Sequence, residues 1–278
     1  MLELYLDDAG SQTDPQKLFF AIGGYVAPGG IWTSFTRLWQ NQLDLKKSLP
    51  FHATDCEPGS NGYGHGDFST WDKDRLLELK KALAPLTLML SAGVGRGLVV
   101  SEHNSALLND PTLMGRIEGA RKYFPLFLLL ECTLDWIASE WPGRPKDEKI
   151  AVIFETGTTG LPLAASMFLW LRRNMSWANE VFTETLGFGS KSDAELQAAD
   201  MLAFSVYKDL EGRQLTPPRP ERKTLSVLKL HGRLSVKNVA PQDYLVIRDM
   251  YSDWFKQWHQ SVGFEPARVK FRPQTFQS

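Results

Sequence analysis

Residues 1–14 read MLELYLDDAGSQTD, and this stretch decides how the fold is interpreted. From Leu2 to Leu6, leucines alternate with polar or aromatic side chains, which is the period of a β-strand with one buried face. Asp7 and Asp8 follow at the carboxyl end of this predicted strand. Open α/β sheets bind ligands at strand ends, so the position suits a functional site, although a polar strand end before a turn would look the same.

The composition indicates a globular protein. Of the 278 residues 43% are hydrophobic, and the formal net charge is −1, so a nucleic-acid partner would have to bind a local basic patch. Cys56 and Cys132 form no disulfide framework, and the N-terminus lacks a signal-peptide pattern, which together predict a cytoplasmic protein. The most apolar stretch, residues 123–141, is interrupted by Glu131 and Asp135 and is short for a membrane span. We interpret it as a buried helix and expect no membrane association.

Strand-like and helix-like patterns alternate along the chain. Strand patterns cover residues 2–6, 17–27, 86–100, 149–157 and 180–188. Helical patterns cover residues 31–49, 69–86, 123–141, 161–175, 192–212 and 241–260. Ser or Thr is expected to cap the second helix, and Ser192 with Glu195 to form a capping box on the fifth. The order predicts an α/β fold with a mixed sheet flanked by helices.

Three acids stand out by their position in these predicted elements. Asp7 ends the first strand, Glu155 ends the most apolar strand, and Asp200 lies near the edge of an apolar helix face. A carboxylate beside apolar surface is costly unless it is paired or binds a cation. The positions alone leave a structural salt bridge and a metal site as alternatives.

Four motifs resemble those of the family called domain of unknown function 3800. They are YLDDAG at residues 5–10, FAIGGYV at 20–26, FHATD at 51–55 and SDAELQAADMLAF at 192–204. The family pattern at the first motif is Tyr-x-Asp-Glu-Ser-Gly, so Asp8 replaces the glutamate and Ala9 the serine. After the central strand the family often has Asp-Glu, where this chain has Phe154 and Glu155.

The resemblance implies a ribonuclease H-like domain over residues 1–210. Residues 211–278 would then form a basic linker and a C-terminal helix packed on the same domain. The resemblance also implies a carboxylate cluster that binds Mg²⁺ or Mn²⁺, with three metal ligands: Asp7, Glu155 and Asp200. Magnesium is a hard ion that prefers carboxylate oxygens, so acids from separate elements are suitable ligands.

Further candidate catalytic residues adjoin this expected cluster. Asp8 matches the family's second acid as a substitution, and Lys191 matches a position that is often basic in the family. Lys191 would neutralise charge that develops on a phosphate, and His52 would contact a substrate phosphate. A solvated lysine and an ordinary loop histidine are the alternatives. Residues 51–70 are rich in Gly and Ser and predict a long, mobile loop whose His52 or Asp55 faces the acids.

The function predicted from these observations is that of a metal-dependent nuclease or related phosphodiesterase. Its partner would be DNA or RNA, bound in part by a basic stretch composed of Arg213, Arg219, Arg222, Lys223, Lys229 and Arg233. The alternative is a catalytically inactive scaffold of the same fold that binds nucleic acid or another protein. A homo-oligomer is compatible with either prediction.

Two other segments contain residues that could form a functional site. Residues 51–67 contain possible zinc ligands at His52, Asp55, Cys56, His65 and Asp67, but without the paired spacings of structural zinc sites. Residues 154–162 resemble a phosphate-binding loop, but no Gly-Lys-Ser/Thr follows. The carboxylate cluster therefore remains the preferred site.

Overall fold

The computed structural model describes residues 1–10, 18–91, 95–103, 124–141, 143–145, 147–156, 161–230 and 233–239. The strands in these ranges are β1 (Leu2–Gly10), β2 (Phe19–Pro28), β3 (Arg96–His103), β4 (Ile150–Glu155), β5 (Phe182–Gly189) and β6 (Leu234–Val239). They form one sheet in the order β5-β4-β1-β2-β3-β6. β2 is antiparallel to β1 and β3, whereas the pairs β1 with β4, β4 with β5 and β3 with β6 are parallel. The expected α/β fold with a mixed sheet is thus confirmed.

Helices cover both faces of this sheet. They are α1 (Gly29–Leu45), α2 (Lys73–Leu83), α3 (Phe124–Glu140), α4 (Leu161–Asn174), α5 (Ser176–Val181), α6 (Ala194–Arg213) and α7 (Lys223–Leu228). α3, α4 and α5 contribute to one hydrophobic core, and α1, α2, α6 and α7 to a second core on the opposite face. The apolar stretch predicted as a buried helix is α3, whose leucines pack into the first core as expected.

The alternation in β1 distributes its side chains between the two cores. Leu2, Leu4 and Leu6 are fully buried in the core formed with α3, α4 and α5. Tyr5 and Ala9 pack into the core on the α6 side. Successive side chains in a strand point to opposite faces, so Asp7 shares the α6 side with Tyr5 and Ala9, and Asp8 lies on the leucine side.

α6 is buried on all sides. Every residue from 196 to 207 is buried, because the helix lies between the sheet and a layer formed by α1, α7 and residues 51–56. The expectation that Asp200 lies at the edge of a single apolar face is therefore wrong. Small side chains such as Ala198, Ala199 and Ala203 let the helix approach the sheet closely, and Asp200 is 6% exposed in the middle of it.

A glycine permits the close pairing of β1 and β2. Gly24 faces Leu6 across the antiparallel pair, and a Cβ atom at Gly24 would lie 1.7 Å from the carbonyl oxygen of Tyr5. No real Cβ contact is that short, so any other residue would push the two strands apart. Since β1 carries Asp7, the glycine helps to set the position of the candidate site.

Several element boundaries differ from the sequence prediction. β1 does not stop at the acids but pairs with β2 as far as Gly10. Asp72, not a serine or threonine, caps α2 by accepting a hydrogen bond from the backbone N–H of Arg75. The predicted capping box on α6 is also wrong, because Ser192 Oγ bonds Ser190 and the Glu195 carboxylate accepts from Thr36 on α1. In both helix caps, the hydrogen bonds are made by residues other than those predicted from the local sequence.

Other segments were assigned to the wrong element or missed. Residues 84–91 form a 3₁₀ helix that packs on α1 and α2, although the predicted strand began at residue 86, and the strand itself begins only at Arg96. β6 was not predicted, although it extends the sheet beside β3. The helix predicted at 241–260 lies outside the described residues.

Within the ranges that the structure describes, no helix is both long enough and apolar enough to cross a bilayer.

Candidate active site at the carboxyl ends of β1 and β4

Two of the predicted acids are brought together by strand pairing. β1 and β4 run parallel with Leu6 opposite Phe154, and Asp7 and Glu155 are the next residue on each strand. Both side chains point to the α6 side of the sheet. α6 packs against β1 at this level and contributes Asp200. A parallel pair of strands and one buried helix therefore place three carboxylates around one point.

The three carboxylates line a small cavity of about 10 Å³. Its full set of lining residues is Asp7, Phe51, His52, Glu155, Lys191, Leu196, Gln197 and Asp200. All three acids predicted as metal ligands are present, as are two of the three other candidate residues, Lys191 and His52. The predicted convergence of Asp7 and Asp200 is thus found in the structure, and His52 faces the acids as expected.

Burial and mutual repulsion shape the charge of this cluster. Asp7, Glu155 and Asp200 are each at most 7% exposed. Burial raises the pKa of Asp7 well above its usual range, and the negative charges of Asp200, Asp8 and Glu155 raise it further. Burial also raises the pKa of Asp200, to about 6, although a hydrogen bond from the backbone N–H of Ala53 and the nearby His52 oppose the shift. The cavity lining therefore has more carboxylates than basic side chains.

Asp200 also anchors the segment that covers the site. The backbone N–H of Ala53 donates to Asp200 Oδ2 over 2.7 Å. Residues 51–70 were predicted as a mobile loop, but they carry a 3₁₀ turn at Gly66–Phe68 and bury Phe51, Cys56 and Phe68. Residues 51–70, called the cover segment below, therefore pack on α6 and are hydrogen-bonded to it.

Gln197 is a site residue that the sequence interpretation missed. Its Oε1 accepts from Trp39 Nε1 at 2.8 Å and from the backbone N–H of Phe51 at 2.9 Å. Its Nε2 donates to the carbonyl oxygens of Lys191 and Ser192 at 3.1 and 3.0 Å. Gln197 thereby holds both His52 and Lys191 in place through their neighbouring backbone. A glutamine inside a run of buried alanines was the signal, since a buried amide needs several partners.

A chain of polar contacts leads from the acids to the protein surface. Lys191 Nζ lies 3.5 Å from Glu155 Oε1 and 3.5 Å from His52 Nε2. His52 Nδ1 lies 3.0 Å from Asp55 Oδ2. The carboxylate of Asp55 favours a proton on Nδ1, which leaves Nε2 directed toward Lys191 and the cavity. Lys191 is the only cation among the residues that line this cavity if His52 is neutral.

Asp8 does not join the cluster. It is not among the residues that line the cavity, and the alternation of β1 directs its side chain to the leucine side of the sheet. Its backbone N–H donates to Asp7 Oδ1 over 2.8 Å, and its charge raises the pKa of Asp7. The geometry assigns Asp8 an indirect effect on the site.

The zinc alternative in residues 51–67 gains no support. Among the described residues, no group of three or more His, Cys, Asp and Glu side chains stands in a metal-binding arrangement. Cys56 is fully buried, and burial raises its pKa to about 12, so it is not a ready thiolate ligand. His65 lies in a different cavity from His52.

The predicted basic stretch is largely used within the protein. Arg213 pairs with Asp209, Arg222 with Glu57, and Lys229 with Glu221. The first pair lies within α6 and the third flanks α7, whereas the Arg222–Glu57 pair joins the start of α7 to residues 51–70. Three of the six cations proposed to follow a nucleic-acid backbone are therefore already neutralised.

Comparisons of this chain with protein-family models, with curated proteins and with solved structures find no match.

Proposed function

We propose that the protein is a divalent-metal-dependent phosphodiesterase that cleaves nucleic acid, built on a ribonuclease H-like fold. The observation that carries the proposal is the convergence of Asp7, Glu155 and Asp200 in one cavity. Three buried carboxylates from three separate elements repel one another, and a cation between them removes the repulsion. The motif resemblance to the domain of unknown function 3800 family points to the same three residues.

The strand order supports the assignment of the fold. β1 lies between an antiparallel neighbour, β2, and a parallel neighbour, β4. A meander of three antiparallel strands followed by two parallel strands on the β1 edge is the arrangement expected of a ribonuclease H-like sheet. β6 adds a sixth strand on the far edge beside β3.

The residues at the cavity fit one hard cation. Their donors are carboxylate oxygens, which Mg²⁺ and Mn²⁺ prefer. A cavity of about 10 Å³ is the size that one water molecule or one ion fills, so one ion fits better than two. The acids do not stand in ready-made ligand geometry, and Lys191 compensates part of their charge at 3.5 Å from Glu155. Such an ion would supply a Lewis acid for the phosphoryl oxygen and lower the pKa of a bound water.

The chain's own residues have separate roles beside that ion. Asp7, Glu155 and Asp200 would hold the cation through their carboxylate oxygens. His52, oriented by Asp55, can exchange a proton through Nε2 with an oxygen of the phosphodiester. Lys191, which is more than half exposed, can turn from Glu155 to the substrate and balance charge that develops on the phosphate.

The test combines metal binding with cleavage. In calorimetric scans, Mn²⁺ should raise the melting temperature of the wild type, because it binds the folded state only. Asp7→Asn and Asp200→Asn should lose both this increase and the cleavage of single- and double-stranded DNA and RNA. Asp67→Asn, which removes an exposed acid of the cover segment, is the matched control and should keep both.

The inactive scaffold remains a second candidate on one observation. Lys191 and the backbone N–H of Ala53 already offset the charge of Glu155 and Asp200 without a metal. If Mn²⁺ leaves the melting temperature of the wild type unchanged and no nucleic acid is cleaved, the scaffold function is the better description.

A further inference from the structure

A second and larger cavity lies on the α6 side of the sheet. Its volume is about 310 Å³, against about 10 Å³ for the acid cavity. Among the described residues it is lined by Gly10, Thr54, Glu57, His65, Phe204, Tyr207 and Lys208. A volume near 300 Å³ is at the small end of ligand pockets and fits one small organic group, not a duplex.

The same three segments line both cavities: β1, α6 and residues 51–70. α6 contributes Asp200 to the acid cavity and Phe204 and Lys208 to the larger one, about 6 and 12 Å further along the helix. β1 contributes Asp7 to the first and Gly10 to the second, about 10 Å apart. This separation corresponds to about three stacked nucleotides of one strand, and to fewer in an extended strand.

Both aromatic rings and a cationic side chain line the larger cavity. Lys208 Nζ lies 5.8 Å from the ring centre of Phe204 and 5.2 Å from that of Tyr207. Glu211 binds both the Tyr207 hydroxyl and, at 2.6 Å, Lys208 Nζ. His65 is exposed at the rim. A flat ring can pack on the aromatic wall while an anionic group lies near Lys208 and His65.

A fixed carboxylate lies on the same wall. Glu57 accepts hydrogen bonds from Arg222 Nη1 and Nη2 at 3.1 and 2.8 Å and from Lys80 at 3.1 Å. Burial would raise the pKa of Glu57, but Arg222 and Lys80 outweigh it and lower the pKa to about 2. Glu57 Oε1 accepts only from Arg222 in this set, so it can accept one more bond from a base amino group.

We propose that this cavity is a subsite for one nucleotide of the substrate strand, within about three nucleotides of the bond that is cleaved at the acid cluster. The inference rests on the proposed nuclease function. The base packs against Phe204 and Tyr207, an exocyclic amino group donates to Glu57, and the phosphate lies beside Lys208 and His65.

Calorimetric titration with cytidine monophosphate in EDTA tests the subsite without cleavage or metal. The wild type should bind this nucleotide, and uridine monophosphate several-fold more weakly, because uracil has no amino group for Glu57. Thr54→Trp, which fills the cavity from an exposed position, and Lys208→Gln should each weaken binding at least ten-fold. Lys73→Gln, which removes an exposed lysine from α2, should bind as the wild type does. Melting curves establish that each variant is folded.

The outcomes separate the subsite from the nuclease proposal. No binding at millimolar nucleotide, equal binding by Thr54→Trp, or equal binding of the two nucleotides would each overturn the subsite. Nuclease activity seen beside such a result would leave the proposed function intact. Nucleotide binding with the expected variant pattern, in a protein that cleaves nothing, would support the subsite and count against the nuclease.

Discussion

Asp7 and Asp200 show how position in a fold changes an ordinary side chain. Both are aspartates, yet burial and neighbouring carboxylates raise the pKa of each in the folded protein. In the unfolded chain both would titrate near 3.8. The folded protein therefore binds more protons than the unfolded chain between that value and the raised pKa values, and its stability falls as pH rises through this window.

This difference gives a prediction for Asp7→Asn in EDTA. Asparagine keeps an oxygen to accept from the backbone N–H of Asp8 but carries no charge. The variant and the wild type should have similar stability at pH 4, and the variant should be more stable by at least about 1 kcal/mol at pH 8. Urea unfolding at several pH values measures the gap. A gap that is constant with pH would show that Asp7 is not crowded.

At the residue level the sequence predicted much of the site. The positions of Asp7, Glu155 and Asp200 at the ends or in the middle of patterned elements, together with the motif resemblance, were sufficient to place them together. Asp8 could have been set apart, because the alternation that buries Leu4 and Leu6 directs it to their side. The buried position of Gln197 could have been recognised, but its bonds to Trp39 and Phe51 could not be predicted, since these residues are distant in sequence.

The contact between α6 and the cover segment is the decisive feature at the level of elements. Asp200 and Gln197 on one helix bind the backbone of Ala53 and Phe51, and this fixes the segment that carries His52. The glycine and serine content of residues 51–70 predicted a mobile loop. Its bonds to a buried helix are tertiary, so local composition does not reveal them.

Removing the amide of Gln197 should show how much this contact stabilises the protein. Gln197→Ala leaves two buried donors, Trp39 Nε1 and the Phe51 N–H, and two part-buried carbonyl oxygens without their partner, so the free energy of unfolding should fall by about 2–5 kcal/mol. Amide hydrogen exchange should also speed up at residues 51–57.

Gln40→Ala, on the exposed side of α1, is the control for that experiment, because Gln40 bonds only Asp44 in the same helix and should change stability by less than about 0.5 kcal/mol. Equal effects of the two substitutions would contradict the assigned role of Gln197.

Helix caps and short strands were the least predictable elements. The α2 cap is Asp72, and α6 begins at Ala194 without the predicted capping box. Local sequence offered several adjacent cap candidates, and the choice among them depends on which neighbour each side chain meets. β6 has a pattern too short and too polar to be distinguished from a loop, and only its pairing with β3 makes it a strand.

At the scale of the whole molecule, residues 211–230 and 233–239 pack on the rest of the described chain. α7 packs on α6, with Leu225 and Leu228 in the core, and Arg222 binds Glu57 across to the cover segment. The mixed sheet was predicted from the order of elements, and packing of residues 211–278 on the same domain was expected from the motif resemblance, but the linker composition did not reveal α7 or the Arg222 to Glu57 pair.

We therefore predict that a chain ending at residue 210 is much less stable than one ending at residue 239. The shorter chain loses Leu225 and Leu228, the Arg222 to Glu57 pair and the strand that covers the edge of β3, and it should aggregate or melt at a markedly lower temperature. Soluble yield and thermal melting of the two chains measure the effect. The same melting temperature for both would mean that residues 211–239 are dispensable for folding.

The interior place of β1 in the sheet has a consequence for synthesis of the chain. β1 is made well before its parallel partner β4, because the pairing joins Leu2 to Ile150. At a synthesis rate of about 5–20 residues per second, β4 is made on the order of ten seconds after β1, and one edge of β1 has no partner until then. During that time Leu2, Leu4 and Leu6 lie on a nascent strand that is paired at most on its β2 side. Until β4 is made, the nascent chain therefore carries a leucine-rich strand with one open edge, which favours aggregation, whereas in the folded protein both edges of β1 are paired.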